Sequence, residues 1–170
     1  MEYVAKGVAS IRRALILDTA FILAIVYLPS LSHLLAIPLY RLEPMRMLII
    51  LALPFTSRKN IYFLALILPL ASFITSGHPV PAKAFLMTGE LLLNVWLFGW
   101  LMRRVGNPLG AMLSGITISK LGYYGVKFLL IQVTVISVPL VSSPLVLQAV
   151  LTIVFSLYIF VVYSRYIFHR

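Results

Sequence analysis

The chain has no cysteine and only four acidic residues, Glu2, Asp18, Glu43 and Glu90, among its 170. The first absence removes disulfide frameworks, thiolate metal sites and thiol nucleophiles, and with them any inference about redox compartment. The second leaves little for general acid–base chemistry: Asp18, Glu43 and Glu90 show no paired-acid or nucleophile–base spacing, so an intramembrane hydrolase or transferase has no support and no catalytic residue is expected. Charged residues make up 11% of the chain, against about 25% in an ordinary soluble domain. His33 and His169 lie far from His78 in sequence, so neither a metal site nor another cofactor is expected. No G-x-x-x-x-G-K-[ST] loop occurs, which excludes ATP hydrolysis by that machinery. Internal repeats and low-complexity tracts are also missing.

What is abundant is apolar sequence, 62% of residues, with a mean hydropathy of +1.05. This composition describes an all-α integral membrane protein, and residues 1–170 are long enough for one transmembrane domain. The net charge of +10 would suggest nucleic acid in a soluble protein; here Lys and Arg gathered on cytoplasmic loops account for it, and no nucleic-acid partner is expected. Lys6, Arg12 and Arg13 before "ALILDTAFILAIVYL" look like the start of a signal peptide. No small-residue cleavage site follows, so the stretch reads as an uncleaved first membrane helix.

Apolar runs bounded by charges, proline and glycine predict six membrane segments, at 14–35, 44–56, 60–75, 82–102, 109–132 and 145–164. With the N-terminus inside, the inner loops and ends hold nine cations (Lys6, Arg12, Arg13, Arg58, Lys59, Arg103, Arg104, Arg165 and Arg170) and the outer ones three (Arg41, Arg46 and Lys83). This asymmetry predicts an N-in, C-in six-helix bundle. Helices 2 and 3 are short: 13 residues cover roughly 20 Å of a hydrocarbon core about 30 Å thick. Two short, partly shielded spans are preferred to a re-entrant pair, which would hold Arg58 and Lys59 at depth.

Ionisable groups inside the spans are functional candidates, because membrane insertion disfavours them unless they line water or a ligand. Glu90 lies roughly 12 Å below the outer end of the fourth span and Lys120 roughly 16 Å above the inner end of the fifth. Lys83, Met87, Glu90 and Asn94 share one helix face by spacings of 4, 3 and 4; Lys120, Tyr124, Lys127 and Ile131 share another. If the stripes face each other, Glu90 pairs with a lysine and surplus positive charge lines an outward-opening cavity suited to a small anionic or zwitterionic solute. His78, in "SGHPVP", belongs first to the entry of helix 4 and, in the sharper view, to a lid over that cavity. Asp18 is expected to pair with an adjacent arginine. Ala111, Gly115 and Ser119, at four-residue spacing, predict close packing of helix 5.

In the first span, "AFILA" sets Ala20 and Ala24 four residues apart. With six spans, N-in and C-in ends and a polar cluster in the outer half of the later helices, "ALILDTAFILAIV" and the run from "LEPMRMLIIL" to "MTGELLLNV" resemble the substrate-binding S component of energy-coupling factor (ECF) transporters. The resemblance covers nearly the whole chain, at the level of layout. It implies a multi-pass protein of the cell membrane that captures a vitamin or similar micronutrient. It further implies that Ala20 and Ala24 dock on a membrane coupling subunit driven by two cytoplasmic ATPases. The rival expectation is an MreD-like structural scaffold of cell morphogenesis, which needs no desolvated charge cluster.

Overall fold

A computed structural model describes residues 2–77, 79–133, 139–141 and 143–168, with backbone alone for 2–14 and 166–168. All the regular elements among the described residues are helical. They form α1 (Glu2–Leu34), a 3₁₀ turn (Leu39–Leu42), α2 (Pro44–Ala52), α3 (Arg58–Ser76), α4 (Pro81–Val105), α5 (Pro108–Gln132) and α6 (Leu145–Phe168).

The helix ends follow from local chemistry. Pro44, Pro81 and Pro108 open α2, α4 and α5, where a missing N–H costs nothing and the fixed φ suits the first turn. Ser57 caps α3 by accepting from the Asn60 N–H, and Asn107 caps α5 by accepting from Leu109 and Gly110. Gly77 and Gly106 end α3 and α4 at φ 66° and 70°, the left-handed conformation that favours glycine.

Among the described residues, four helices are long and apolar enough to cross a membrane, at Leu15–Leu34, Arg58–Ser76, Pro81–Val105 and Leu145–Arg165. Large apolar side chains cover the outer faces, Val146 being 76% exposed, as lipid-facing helices require. The chain is a multi-pass membrane protein. α5 matches α4 in length, 25 residues each.

The expectation that helices 2 and 3 are both short needs correction for α3, which has 19 residues because its Ser57 cap starts it before residue 60. α2 is shorter still: nine residues, about 14 Å, or half of a hydrocarbon core. It runs down the middle of the bundle. Leu48 and Ile49 pack with Ile25, Leu64, Leu68 and Val95, whereas Ile50 packs with Phe98, Met112, Ile116, Phe155 and Ile159. A helix wedged between two apolar clusters must be apolar nearly all round, and seven of its nine residues are buried.

The small residues on α5 also pack as expected. Ala111, Gly115 and Ser119 are buried, and a Cβ at Gly115 would stand 3.4 Å from the Phe98 backbone nitrogen of α4. Ala20 and Ala24 share the same spacing on α1 but are exposed. One small-residue stripe is consumed by the bundle; the other is left on its surface.

Candidate functional site

Beyond α1 the chain turns back on itself. Ser32 Oγ accepts from the Leu39 N–H at 3.2 Å, and Ala36 and Glu43 take positive φ values of 52° and 51°. These bends deliver Glu43 to the N-terminal end of α2, at the level of Glu90 on α4 and Lys120 on α5.

There the side chains form a connected ionic network. The Arg46 guanidinium donates through one Nη to Glu43 and through the other to Glu90, and the Lys120 ammonium donates to the second oxygen of Glu43. Two carboxylates and two cations alternate, so the quartet is neutral. Arg46 is 3% exposed, and Glu43, Glu90 and Lys120 are mostly buried. Lys120 also donates to Gln148 Oε1 on α6 at 3.2 Å, and the Tyr124 hydroxyl donates to the same oxygen at 2.8 Å. Gln148 Nε2 in turn donates to the Ser143 carbonyl and hydroxyl, each at 3.0 Å. The network thus joins α2, α4, α5 and α6 at one depth.

Lys127 sits two turns further along α5 and is 1% exposed. Its ammonium donates to the carbonyls of Pro139 and Leu140 at 2.8 Å each and lies 5.7 Å from the Tyr123 ring centroid. It therefore ties the α5–α6 connection to α5. Lys83 is half-buried in the first turn of α4.

Several expectations change. Glu90 pairs with Arg46, not with a lysine of α5, and Lys120 is matched by Glu43, so the quartet carries no surplus positive charge. The reason is α2: its N-terminal end enters the bundle at the depth of Glu90 and brings its own acid and base. Asn94 lies one turn below Glu90 against Gly115 of α5 and outside the network. Its Nδ2, like Arg46 Nε, is buried without a hydrogen-bond partner among the described residues. Asp18 accepts from Asn60 Nδ2 at 2.7 Å, and among the described residues that amide, not an arginine, is its partner. His78 lies outside the described residues. Glu90, Lys120 and Tyr124 are brought together; Lys127 and Lys83 flank them; Glu43, Arg46 and Gln148 were not anticipated. The sequence did hold a signal for two of these: Glu43 and Arg46 are three residues apart astride a helix-opening proline, just before an uncharged apolar run.

Among the described residues no three His, Asp or Glu side chains converge as a metal site would need. What the network offers is different: fixed charges of both signs, a phenol and an amide in a weakly screening interior, where each interaction is stronger than in water. Comparison with known protein families, with curated proteins and with solved structures gives no match for this chain.

Proposed function

We propose that the chain is the solute-binding membrane subunit of an ECF-type importer, an S component that captures a vitamin-like molecule from outside. The observation that carries this proposal is the ionic network itself. Six side chains from four elements (Glu43, Arg46, Glu90, Lys120, Tyr124 and Gln148) are linked at one depth in an otherwise apolar bundle. Holding ion pairs out of water is no bargain for stability, since well-packed apolar residues serve as well or better. A site that exchanges internal partners for those of a ligand does need such groups. A carboxylate on the solute replaces Glu43 on Lys120 or Glu90 on Arg46, and an amino or hydroxyl group engages the carboxylates so released.

Two further features support the assignment. On this reading the chain makes its second crossing as a bent segment followed by half a helix, for six crossings with both ends inside, the topology that the positive-inside count predicts. Irregular backbone at membrane depth is tolerated where it lines protein or a cavity, which fits a ligand approaching Glu43. The exposed Ala20 and Ala24 leave a smooth strip on α1 where a coupling subunit can approach closely. ATP hydrolysis falls to the partners.

The test is co-purification. Protein extracted in mild detergent should retain about one small solute per chain in native mass spectrometry, and a vitamin panel should contain one member that raises the melting temperature. Tyr124→Phe, which removes a single hydroxyl, should weaken that ligand by about 2- to 10-fold, the worth of one hydrogen bond. A chain that holds nothing, with a flat response across the panel, would overturn the assignment and favour the scaffold.

A further inference from the structure

At the opposite end of the bundle a cavity of about 260 Å³ opens between α2, α3, α4 and α6. Its walls include Leu53, Ile61, Val95, Phe98 and Met102. Polar groups join them: Arg58, Thr56 and the hydroxyl-bearing ring of Tyr163, the last set edge-on against Phe98 at 5.8 Å between centroids. Gly99 makes room for the arginine, since a Cβ there would stand 2.7 Å from Arg58 Nη2. Arg103 lies against the same residue and donates from Nε to the Gly99 carbonyl at 3.1 Å. Both guanidiniums are exposed. Lys59, Arg104 and Arg165 carry further positive charge at this end, and Asp18, the acid described here, is engaged by Asn60.

From this juxtaposition of an apolar cleft with exposed arginines at its mouth, we infer that the inner end of the bundle binds one anionic phospholipid, its phosphate held by Arg58 and Arg103 and part of one acyl chain lying in the cleft. The shape distinguishes this occupant from others. A free phosphate needs donors on every side, whereas most of this lining is apolar. A whole drug-sized solute fills about 300 to 1,000 Å³, more than the cleft provides, whereas an acyl segment with its headgroup outside fits. Guanidiniums match phosphate geometry, and basic pockets between membrane helices at the cytoplasmic surface are suited to anionic headgroups. This inference stands apart from the solute site, which lies at the other end of the bundle.

The experiment uses the full purified chain and native mass spectrometry with dioleoyl phosphatidylglycerol, dioleoyl phosphatidylcholine or glycerol 3-phosphate. The wild type should retain one phosphatidylglycerol, preferred over phosphatidylcholine by about 5- to 30-fold because the quaternary ammonium of phosphatidylcholine cancels the net charge that the two arginines attract, and should retain no glycerol 3-phosphate. Arg58→Gln should abolish the preference between lipids. Gly99→Leu, which fills the space beneath Arg58 without changing charge, should lower retention of both lipids. Equal retention of the two lipids by the wild type overturns the inference, as does an unchanged preference in Arg58→Gln. Glycerol 3-phosphate bound as well as the lipid would also overturn it, by making the site one for free anions. If Arg58→Gln fails to fold, the wild-type comparison decides alone.

Discussion

Arg46 is the hub of the ionic network, and replacing it tests the network most severely. Arg46→Met keeps similar length and apolar bulk but leaves Glu43 and Glu90 sharing one cation, Lys120, which contacts only Glu43. Removing one partner of a buried pair costs about 3–5 kcal/mol, because the other charge stays buried and uncompensated. For a chain of 150–250 residues, each kcal/mol shifts the melting temperature by about 2–4 °C, so the expected loss is about 6–20 °C. Glu90→Gln should be milder, about 1–3 kcal/mol, since Arg46 keeps Glu43 and can still donate to the new amide. The decisive case is the double variant. Arg46→Met with Glu90→Gln restores neutrality, leaving Glu43 and Lys120 as an intact pair, and it should be more stable than Arg46→Met alone. Thermal unfolding in detergent, followed through the fluorescence of Trp96 and Trp100, gives all three values, and a double-mutant cycle isolates the coupling. Two results would refute the reasoning: Arg46→Met no worse than Glu90→Gln, or a double variant that loses the sum of the two.

The remaining predictions concern other parts of the molecule. Ala20→Trp or Ala24→Trp, at exposed positions, should change stability by less than about 0.5 kcal/mol and leave solute affinity intact while reducing co-purification of a membrane partner; loss of melting temperature and solute together would mean that the strip is internal packing. Lys127→Met removes two bonds to the Pro139 and Leu140 carbonyls and should raise amide hydrogen exchange in residues 139–144 with little change in α4; unchanged exchange there would show that the clamp is not needed.

The helix limits were largely legible because they rest on local rules. The expected 82–102, 109–132 and 145–164 fall within α4, α5 and α6, and for α4 and α5 proline at the first turn, with glycine just past the end of α4, explains why. The second segment overran for an equally local reason: Leu53, Pro54 and Phe55 are as apolar as the helix they follow, and hydropathy cannot distinguish a turn inside a bundle from a further turn of helix. The site was half legible. Spacing along one helix gives the depth and face of Glu90, Lys120 and Tyr124. It does not tell which neighbour turns toward that face, and the partner proved to be α2, inserted between the apolar clusters around Ile25 and Phe98. Likewise Ala20–Ala24 and Ala111–Gly115–Ser119 are equivalent as strings; only packing shows that the second meets Phe98 and that the first stays exposed among the described residues.

Glu43 sits at φ 51° and ψ 54°, a left-handed conformation that glycine adopts freely and that costs another residue about 1–3 kcal/mol. Glycine there would make the bend into α2 with less strain. Glutamate makes it under tension, and what offsets the tension is the grip of Arg46 and Lys120 on its carboxylate. The bend is therefore a loaded spring whose catch is electrostatic: whatever draws Lys120 away from Glu43 also loosens the backbone that leads into the bundle.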